Sequence, residues 1–337
     1  MPTTFPDGRP AAHLRLDALD QGVVFRHAQG PARCDYLGAR EASIWIEDGV
    51  YHLFYDGAGS RGWLACLATS RDLVTWERHG PVLDFGPPGS PDAATATSPW
   101  VIHDGAQWRM FYVASPNATP APDFIPAFPY LTLSATAPRL VGPWTKDAQL
   151  RPFTTKPGTY YSVTASPGYI VRDGAEYLQF FSATSEAPPG GCVQRTLGLA
   201  RTRDLGGPWT LDPEPLFPVN EQLENTTLYY EPANSCWFLF TNHIASESRA
   251  DGTFGEWTDA IWMYWSRDLR HWDARHKAVV LDRHNCTWSQ RSIGMPTVMP
   301  VGRRLALLYD GNHGGIATNM QRDIGLAWLD LPLHPPA

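Results

Sequence analysis

Hydrophobic and aromatic side chains alternate with smaller or polar ones along most of this 337-residue chain. Five segments show the pattern best, and they begin at Tyr51 (YHLFYDG), Trp108 (WRMFYVAS), Tyr177 (YLQFFSAT), Trp237 (WFLFTNH) and Leu305 (LALLYDG). A period of two is typical of β-strands. Each segment follows another strand pattern, and four of those end in a turn signal such as Asp-Gly or Glu-Pro. No amphipathic helix longer than two turns is predicted, so we expect an all-β chain.

A longer phrase recurs as well: an aromatic strand, a Leu-Ala strand, a Ser/Thr-Arg-Asp-Leu turn and a closing tryptophan. The closing residues Trp76, Trp144, Trp209 and Trp272 are 68, 65 and 63 residues apart, and a truncated copy at Ile324 ends the chain. Repetition at this length indicates stacked units that bury their faces against one another. The sequence therefore predicts a five-bladed β-propeller with four-stranded antiparallel blades.

This interpretation makes residues 1–337 a single domain. The segment 1–38 contains one strand-like piece, Val23 to Phe25, and the last repeat stops one strand short. We expect the N-terminal segment to close the last blade; the alternative is a disordered leader.

Long insertions separate some of the predicted strands, and we expect them to be loops that wall a binding site. They are Gly86–Thr97, Pro116–Pro129, Ser185–Arg195 and Ile244–Asp259.

Composition narrows the class of partner. The net charge of −7 argues against nucleic acid, and runs of Lys or Arg that would suit a membrane surface do not occur. The 14 Trp and 13 Tyr suit stacking on sugar rings.

Five scattered cysteines without a Cys-x-x-Cys pair predict free thiols. With no apolar leader or membrane span, we expect a cytoplasmic protein, or a secreted one if a leader has been removed. The oligomeric state stays open.

Candidate chemistry follows from the propeller geometry, because the residues just before each inner strand converge near the axis. These positions hold Glu41, Ser98, Ser166 and Glu224, and residues 291–294 in the fifth blade. Two carboxylates, from non-adjacent blades, are what glycoside hydrolysis requires of its acid and base.

The same positions carry a resemblance to the five-bladed β-propeller glycoside hydrolases of families 43, 32, 68, 117 and 130, family 43 being the most similar in pattern. Family 43 opens blade one with Arg-Asp-Pro, and here Arg40 and Glu41 precede an alanine. It opens blade four with Glu-Gly-Pro, and here Glu224 is followed by Asn and Thr. Its Ala-Pro of blade two resembles the stretch at Ser98. The resemblance implies that Glu41 is the general base and Glu224 the general acid.

Blade three departs from the family. Ser166 stands where the family has an Asp that orients the acid and raises its pKa. Asp123, in the second long loop, and Asp35 are the candidates to replace that charge. Asp35 is also an alternative to Glu41 as the base, and Glu41 can instead be a structural ion-pair partner of an arginine.

Further residues are candidates for substrate binding. Arg40 and Arg291 suit hydroxyls or the carboxylate of an acidic sugar, and Trp100 suits ring stacking. His243 and His313 suit hydrogen bonds to a sugar, although a lone histidine is more often structural. The resemblance also implies a calcium site near His313 as a minority interpretation. No cofactor is otherwise expected.

Several aspartates are explained by the turns of the repeat. Asp72, Asp204 and Asp268 occupy the Ser/Thr-Arg-Asp-Leu turns, where their side chains are expected to bind backbone N–H groups. Asp56 and Asp310 end second strands and are interpreted mainly as hairpin residues whose rims can face the funnel.

These observations predict an exo-acting, inverting glycoside hydrolase that cleaves a terminal bond of an oligosaccharide. One alternative is a phosphorylase like family 130, with Arg40, Arg291 and His313 holding phosphate. The other is a non-catalytic carbohydrate-binding propeller, suggested by Ser166. The identity of the sugar stays open.

Overall fold

The computed structural model describes residues 4–147, 149–188, 191–250 and 254–336. Within these ranges the chain forms β-strands, turns and two short 3₁₀ helices, at Pro31–Arg33 and Val219–Glu221. The predicted all-β class is confirmed. None of the described helical segments is long and apolar enough to cross a membrane.

The strands are numbered in chain order. The first eight are β1 (Leu14–Arg15), β2 (Leu19–Phe25), β3 (Gly38–Glu47), β4 (Val50–Gly59), β5 (Gly62–Ser70), β6 (Glu77–Pro81), β7 (Thr95–His103) and β8 (Trp108–Ser115). The next eight are β9 (Asn117–Ala118), β10 (Pro126–Ala127), β11 (Leu131–Ala137), β12 (Thr145–Lys146), β13 (Thr164–Ser166), β14 (Ile170–Asp173), β15 (Glu176–Ser185) and β16 (Gln194–Thr202). The last eight are β17 (Thr210–Leu211), β18 (Leu223–Glu231), β19 (Cys236–Ser248), β20 (Phe254–Ser266), β21 (Lys277–Leu281), β22 (Ile293–Val301), β23 (Arg304–Gly311) and β24 (Asp323–Asp330).

Antiparallel pairing groups the strands into five successive units in the described ranges. Unit one is β3 to β6, and unit two is β7, β8, β11 and β12. Unit three is β13 to β17, with β13 and β14 pairing in turn with β15. Unit four is β18 to β21, and unit five is β22 to β24 with β2. A short parallel pairing of β5 with β7 joins units one and two.

The N-terminal segment contributes to two units. Strand β2 runs antiparallel to β24, with Val23 opposite Gly325 and Phe25 opposite Ile324. It is therefore the outer strand of unit five. Strand β1 pairs in parallel with β21 of unit four, an addition that the sequence did not predict.

The hydrophobic core consists of five clusters, and each lies between two consecutive units. Phe111 of unit two packs with Phe181 of unit three, for example. The cluster that contains Phe25 and Tyr55 joins unit five to unit one, so the series closes on itself. Burying a side chain such as Phe181, which is fully buried, stabilises the fold by about 1.5–3 kcal/mol. Because each unit buries its faces against its neighbours, the axis is left to polar residues.

The turns of the repeat behave as predicted. Asp72 Oδ1 accepts hydrogen bonds from the backbone N–H groups of Val74 and Thr75. These bonds lower the pKa of Asp72 to about 2. Asp204 and Asp268 accept equivalent backbone bonds in their own turns. The predicted turn-capping role is confirmed for all three aspartates.

One of the predicted loops is wrong. Ile244–Asp259 lies mostly in a hairpin, because β19 and β20 continue to pair as far as Ser248 opposite Phe254. Ile244, Ser246 and Ser248 lie on one face of β19, and two of the three are polar. The sequence therefore shows no hydrophobic face that would indicate a strand here. The insertion Pro116–Pro129 carries the two-residue strands β9 and β10, and in Ser185–Arg195 residues 189–190 lie outside the described part.

Candidate active site

The inner strands of four units share one irregularity at the positions that were expected to converge. A register shift marks a β-bulge in β3, β7, β18 and β22. At each bulge a non-glycine residue has a left-handed backbone: Glu41 (φ 51°), Ser98 (φ 47°), Asn225 (φ 51°) and Met295 (φ 54°). Such conformations are uncommon outside glycine, and bulges re-aim side chains next to active sites.

Three of these bulges are held by a side chain from the second strand of the preceding unit. The N–H of Glu41 donates to Asp310 Oδ2 at 2.9 Å. The N–H of Ser98 donates to Asp56 Oδ1 at 2.5 Å, and that of Asn225 to Ser182 Oγ at 2.8 Å. Each bond satisfies an N–H that the bulge removes from the strand ladder. The bulges therefore have a structural support that repeats around the ring.

The inner strands β3, β7, β13 and β18 bring five predicted residues to a single cavity of about 150 Å³. Arg40, Glu41, Ser98, Ser166 and Glu224 all line it. The volume equals that of about five water molecules, below the usual size of a drug-sized ligand site. It suits one small ring. A groove of about 1070 Å³ between units three and four is larger, but none of the predicted site residues lines it.

Both oxygens of the Glu41 carboxylate are bound. Oε1 accepts a hydrogen bond from Arg40 Nη2 at 2.8 Å, and Oε2 accepts one from Ser98 Oγ at 2.6 Å. These two donors fix the orientation of the carboxylate. Each oxygen keeps a lone pair for a water molecule or a sugar hydroxyl.

Glu224 has a different environment. Its Oε1 lies 3.9 Å from Arg195 Nε, and the carboxylate has no shorter ion pair among the described residues. Burial raises the pKa of Glu224; Arg195 opposes the rise, and the nearby charge of Glu41 adds to it. A carboxyl group with a raised pKa suits a general acid.

Two arginines face the cavity with unused hydrogen-bond capacity. Arg40 donates to Asn319 Oδ1 and Glu41, and Arg195 donates through both terminal nitrogens to Glu256 at 2.7 and 2.9 Å. The Nε atoms of both arginines are buried and have no hydrogen-bond partner among the residues that the structure describes. Two guanidinium groups in the lining of the cavity suit an oxygen-rich ligand.

Aromatic and apolar residues form part of the wall of the cavity, beside its polar residues. The guanidinium of Arg40 lies 5.2 Å from the ring centre of Trp63. Tyr130 donates its hydroxyl to the Pro126 carbonyl, and burial raises the pKa of Tyr130. The segment 125–128 of the second long insertion forms the remaining wall. Aromatic rings beside a set of polar groups suit the apolar face and the hydroxyls of a sugar ring.

The two candidates for replacing the carboxylate missing at Ser166 are not supported. Asp123 does not line the cavity, and its backbone carbonyl accepts a bond from Trp63 Nε1. Asp35 is fully buried and forms an ion pair with Arg78 at 2.7 Å. It has a structural role and does not compete with Glu41 as a base. Burial and Glu41 raise the pKa of Glu224 without either aspartate.

Two other predicted binding residues lie away from the cavity. Trp100 packs edge-on against Tyr169 between the inner strands of units two and three. His243 is fully buried, its Nδ1 lies 2.6 Å from Arg9 Nη1, and its ring stacks on Trp262 at 3.8 Å. Neither residue lines the cavity, and both belong to the packing between elements.

Arg291 and His313 also fall outside the cavity. Arg291 pairs with Glu247 at 2.7 Å and lies 4.3 Å from the ring centre of Trp257. His313 Nε2 lies 3.0 Å from Asp323 Oδ2. In the described ranges no group of three or more His, Cys, Asp or Glu side chains is placed to hold a metal ion. The minority expectation of calcium near His313 therefore has no ligand set there.

Sequence reasoning missed several residues that line the cavity, and it interpreted Asp56 mainly as a hairpin residue. The missed residues are Trp63, Tyr130, Arg195, Asn225 and Asn319. Most lie on second or third strands or on loops, whereas the prediction considered only the starts of inner strands. The repeat held one signal, because Asp56 and Asp310 occupy the same position in their units.

Comparisons with solved structures give the fold. One match is a structure described as a glycoside hydrolase, with a TM-score of 0.69 and 14% identity over 95% of this chain and 96% of that one. The chain has the fold of the propeller glycoside hydrolases. A thermostable family-43 glycoside hydrolase matches with a TM-score of 0.61 and 13% identity over 93% of this chain and 99% of that one. A family 117 glycoside hydrolase of Zobellia galactanivorans matches at 0.63 and 14%, over 95% of this chain and 93% of that one.

Comparisons of sequence are narrower. No protein-family model matches the chain. A 1,2-beta-oligomannan phosphorylase of Thermoanaerobacter sp. (strain X514) is 50% identical over 69 residues, which are 20% of this chain. The match spans 22% of that protein's length.

Proposed function

We propose that this protein is a glycoside hydrolase and that its five units are the blades of one five-bladed propeller domain. The observation that carries the proposal is the placement of Glu41 and Glu224, from units one and four, in the walls of one small cavity. Two carboxylates in unlike environments are the requirement for acid and base catalysis of glycoside cleavage.

The roles follow from the two environments. Glu224, whose pKa is raised by burial, donates a proton to the oxygen of the leaving group. Glu41, held by Arg40 and Ser98, accepts a proton from the water that attacks the anomeric carbon. The glycosidic C–O bond breaks as the C–O bond to water forms, and the acid and base are reset by solvent.

The size of the cavity supports exo action on an oligosaccharide. A volume of about 150 Å³ accommodates one sugar ring and leaves the rest of the substrate outside. We further propose inversion, which requires carboxyl groups about 6.5–9.5 Å apart so that a water molecule fits between them. NMR observation of the first product anomer tests this step, and a product with the anomeric configuration of the substrate contradicts it.

The central test compares the wild type with Glu224→Gln on a panel of aryl and natural glycosides. An activated aryl leaving group needs little protonation, so the variant is expected to lose natural substrates far more than aryl ones. General acid catalysis contributes about 10²–10⁴-fold, and the loss on natural substrates is expected in that range. Equal losses on both substrate types contradict the acid role. Binding without turnover, unchanged in the variant, indicates a non-catalytic binding protein.

A phosphorylase is the second candidate, and two observations favour it. The 69-residue match is to a phosphorylase. In addition, Arg40 and Arg195 place two guanidinium groups in the lining of the cavity. Of the three residues predicted to hold phosphate, Arg40 lines the cavity, and Arg195 takes the place of Arg291 and His313. Turnover that depends on inorganic phosphate and releases a sugar 1-phosphate supports this alternative.

A further inference from the structure

The hydroxyl of Ser98 lies between two carboxyl groups. Its Oγ is 2.6 Å from Glu41 Oε2 and 3.1 Å from Asp56 Oδ2. The backbone N–H of Ser98 donates to the other oxygen of Asp56, Oδ1. Asp56 is thus joined to Ser98 at two points, and Ser98 joins it to Glu41.

A serine hydroxyl carries one hydrogen, so it donates to only one of the two carboxyl groups. The shorter distance assigns that hydrogen to Glu41 Oε2. Asp56 Oδ2 then faces a lone pair of Ser98 Oγ, and a second hydrogen is needed on the line between them. A protonated Asp56 supplies it, whereas an ionised Asp56 leaves two oxygen lone pairs facing each other at hydrogen-bond distance.

The surroundings of Asp56 also favour the neutral form. The side chain is 1% exposed. The charged groups that act on it are Glu41 and Arg40, both from β3, and the polar groups beside it are Thr97 and Ser98 from β7. Burial, followed by the charge of Glu41, raises the pKa of Asp56 well above its usual value. The Thr97 hydroxyl, the Arg40 guanidinium and the Ser98 N–H oppose this rise. The guanidinium is hydrogen-bonded to Glu41 and not to Asp56.

We propose that Asp56 is held as a neutral carboxylic acid and that, through Ser98, it positions the carboxylate of Glu41. This inference rests on the proposed function for the role of Glu41 as a base. Asp56 Oδ2–H donates to Ser98 Oγ, and Ser98 Oγ–H donates to Glu41 Oε2. With Arg40 on Oε1, the chain of donors fixes both oxygens of the base. Asp56 is therefore a positioning residue.

The corresponding position in unit three shows that support of the bulge alone does not require a carboxyl group. Ser182 accepts the N–H of Asn225 there, as Asp56 accepts that of Ser98. A hydroxyl is enough to hold the bulge. The carboxyl group of Asp56 has a second oxygen, and this oxygen lies beside the Ser98 hydroxyl. Ser182 has only one side-chain oxygen.

Infrared spectroscopy tests the protonation state without any need for turnover. The difference spectrum between the wild type and Asp56→Asn at neutral pH is expected to show a protonated carboxyl C=O band that the variant lacks. Asp72→Asn is the matched control, because the pKa of Asp72 is about 2 and its loss removes only an ionised carboxylate band. An ionised carboxylate band in the Asp56→Asn difference spectrum overturns the proposal.

Kinetics on a glycoside that the wild type cleaves tests the positioning role. Asn at position 56 can accept the Ser98 N–H through Oδ1 and donate to Ser98 Oγ through Nδ2. Asp56→Asn is therefore expected to lower kcat/KM by less than about tenfold. Asp56→Ala and Ser98→Ala each remove the support of a hydrogen bond to a charged group, and we expect losses of about 10- to 100-fold, mainly in kcat. A loss of kcat/KM in Asp56→Asn as large as the loss in Asp56→Ala overturns the proposal.

Two further observations distinguish a failure of this proposal from a variant that does not fold and from a failure of the proposed function. If Asp56→Asn does not fold, Ser98→Ala is compared with the wild type in the infrared, where the carboxyl band is expected to move to higher frequency as the acid loses its acceptor. An unmoved band overturns the link. A protonated Asp56 in a protein that cleaves no glycoside contradicts the hydrolase proposal and leaves the hydrogen-bond chain intact.

Discussion

The charge of Arg195 is expected to set the alkaline limit of activity. Arg195 is the nearest cation to Glu224 and holds the pKa of that carboxyl group below the value that burial and Glu41 would otherwise give it. Replacing Arg195 with Met keeps an unbranched side chain and removes the charge. The pKa of Glu224 is then expected to rise, so the acid stays protonated to higher pH.

The distance gives the magnitude. Two unit charges 3.9 Å apart interact by about 4 kcal/mol at an effective dielectric constant of about 20. That is equivalent to about 3 pKa units. Glu256 binds the same guanidinium through two hydrogen bonds and shares its charge. We therefore expect a rise of about 1–3 units, the usual effect of one opposite charge at this distance.

The assay is the pH dependence of kcat/KM on a natural glycoside. The descending alkaline limb reports the acid in the free enzyme, and in Arg195→Met it is expected to move up by about 1–3 pH units. Arg291→Met is the matched control, because Arg291 pairs with Glu247 outside the cavity and is expected to leave the limb in place. An alkaline limb that stays within about 0.3 unit of the wild type, or that moves down, refutes the reasoning. Titration of carbon-labelled glutamate, assigned with Glu224→Gln, checks the same shift by NMR.

Three further substitutions test the fold around the site. Phe25→Ala in β2 opens a cavity between units five and one and is expected to lower the free energy of unfolding by about 3–5 kcal/mol in denaturant titrations; a loss below about 1 kcal/mol contradicts the closing role of this strand. His243→Ala is expected to lower the free energy of unfolding by about 2–4 kcal/mol and to leave KM unchanged. A large rise in KM would indicate that His243 contacts the substrate. Asp310→Asn removes the charge that pairs with the buried Arg322 at 2.7 Å, with an expected loss of about 3–5 kcal/mol; retained stability contradicts the importance of that ion pair.

The sequence predicted the strands and the residues at their inner ends. One cavity is lined by Glu41, Ser98, Ser166 and Glu224, because they occupy equivalent positions in successive repeats. The repeat can be recognised in the amino-acid sequence. A periodic pattern of aromatic residues is a local signal, and it survives without any knowledge of tertiary contacts.

The errors have a different physical origin. His243 lies within β19 and Arg291 just before β22, at positions that suit a binding site, but the direction of each side chain depends on a partner distant in sequence. Arg9, from the N-terminal segment, contacts the ring of His243, and Glu247 forms an ion pair with Arg291. Arg195 was missed because it lies on a third strand and reaches the cavity only through the extended hairpin that supplies Glu256. Contacts of this kind join segments more than forty residues apart and leave no periodic trace.

Asp56 and Asp310 show how far equivalence within the repeat extends. Both end a second strand, and both accept the N–H of the bulge in the next unit. Asp310 has its own cation, because Arg322 binds its other oxygen at 2.7 Å. The other oxygen of Asp56 meets the hydroxyl of Ser98 instead. The same fold position therefore stabilises a charge in one unit and a neutral acid in another. The difference arises from what the neighbouring unit presents, since a buried carboxylate needs a cation and a buried carboxylic acid needs only an acceptor.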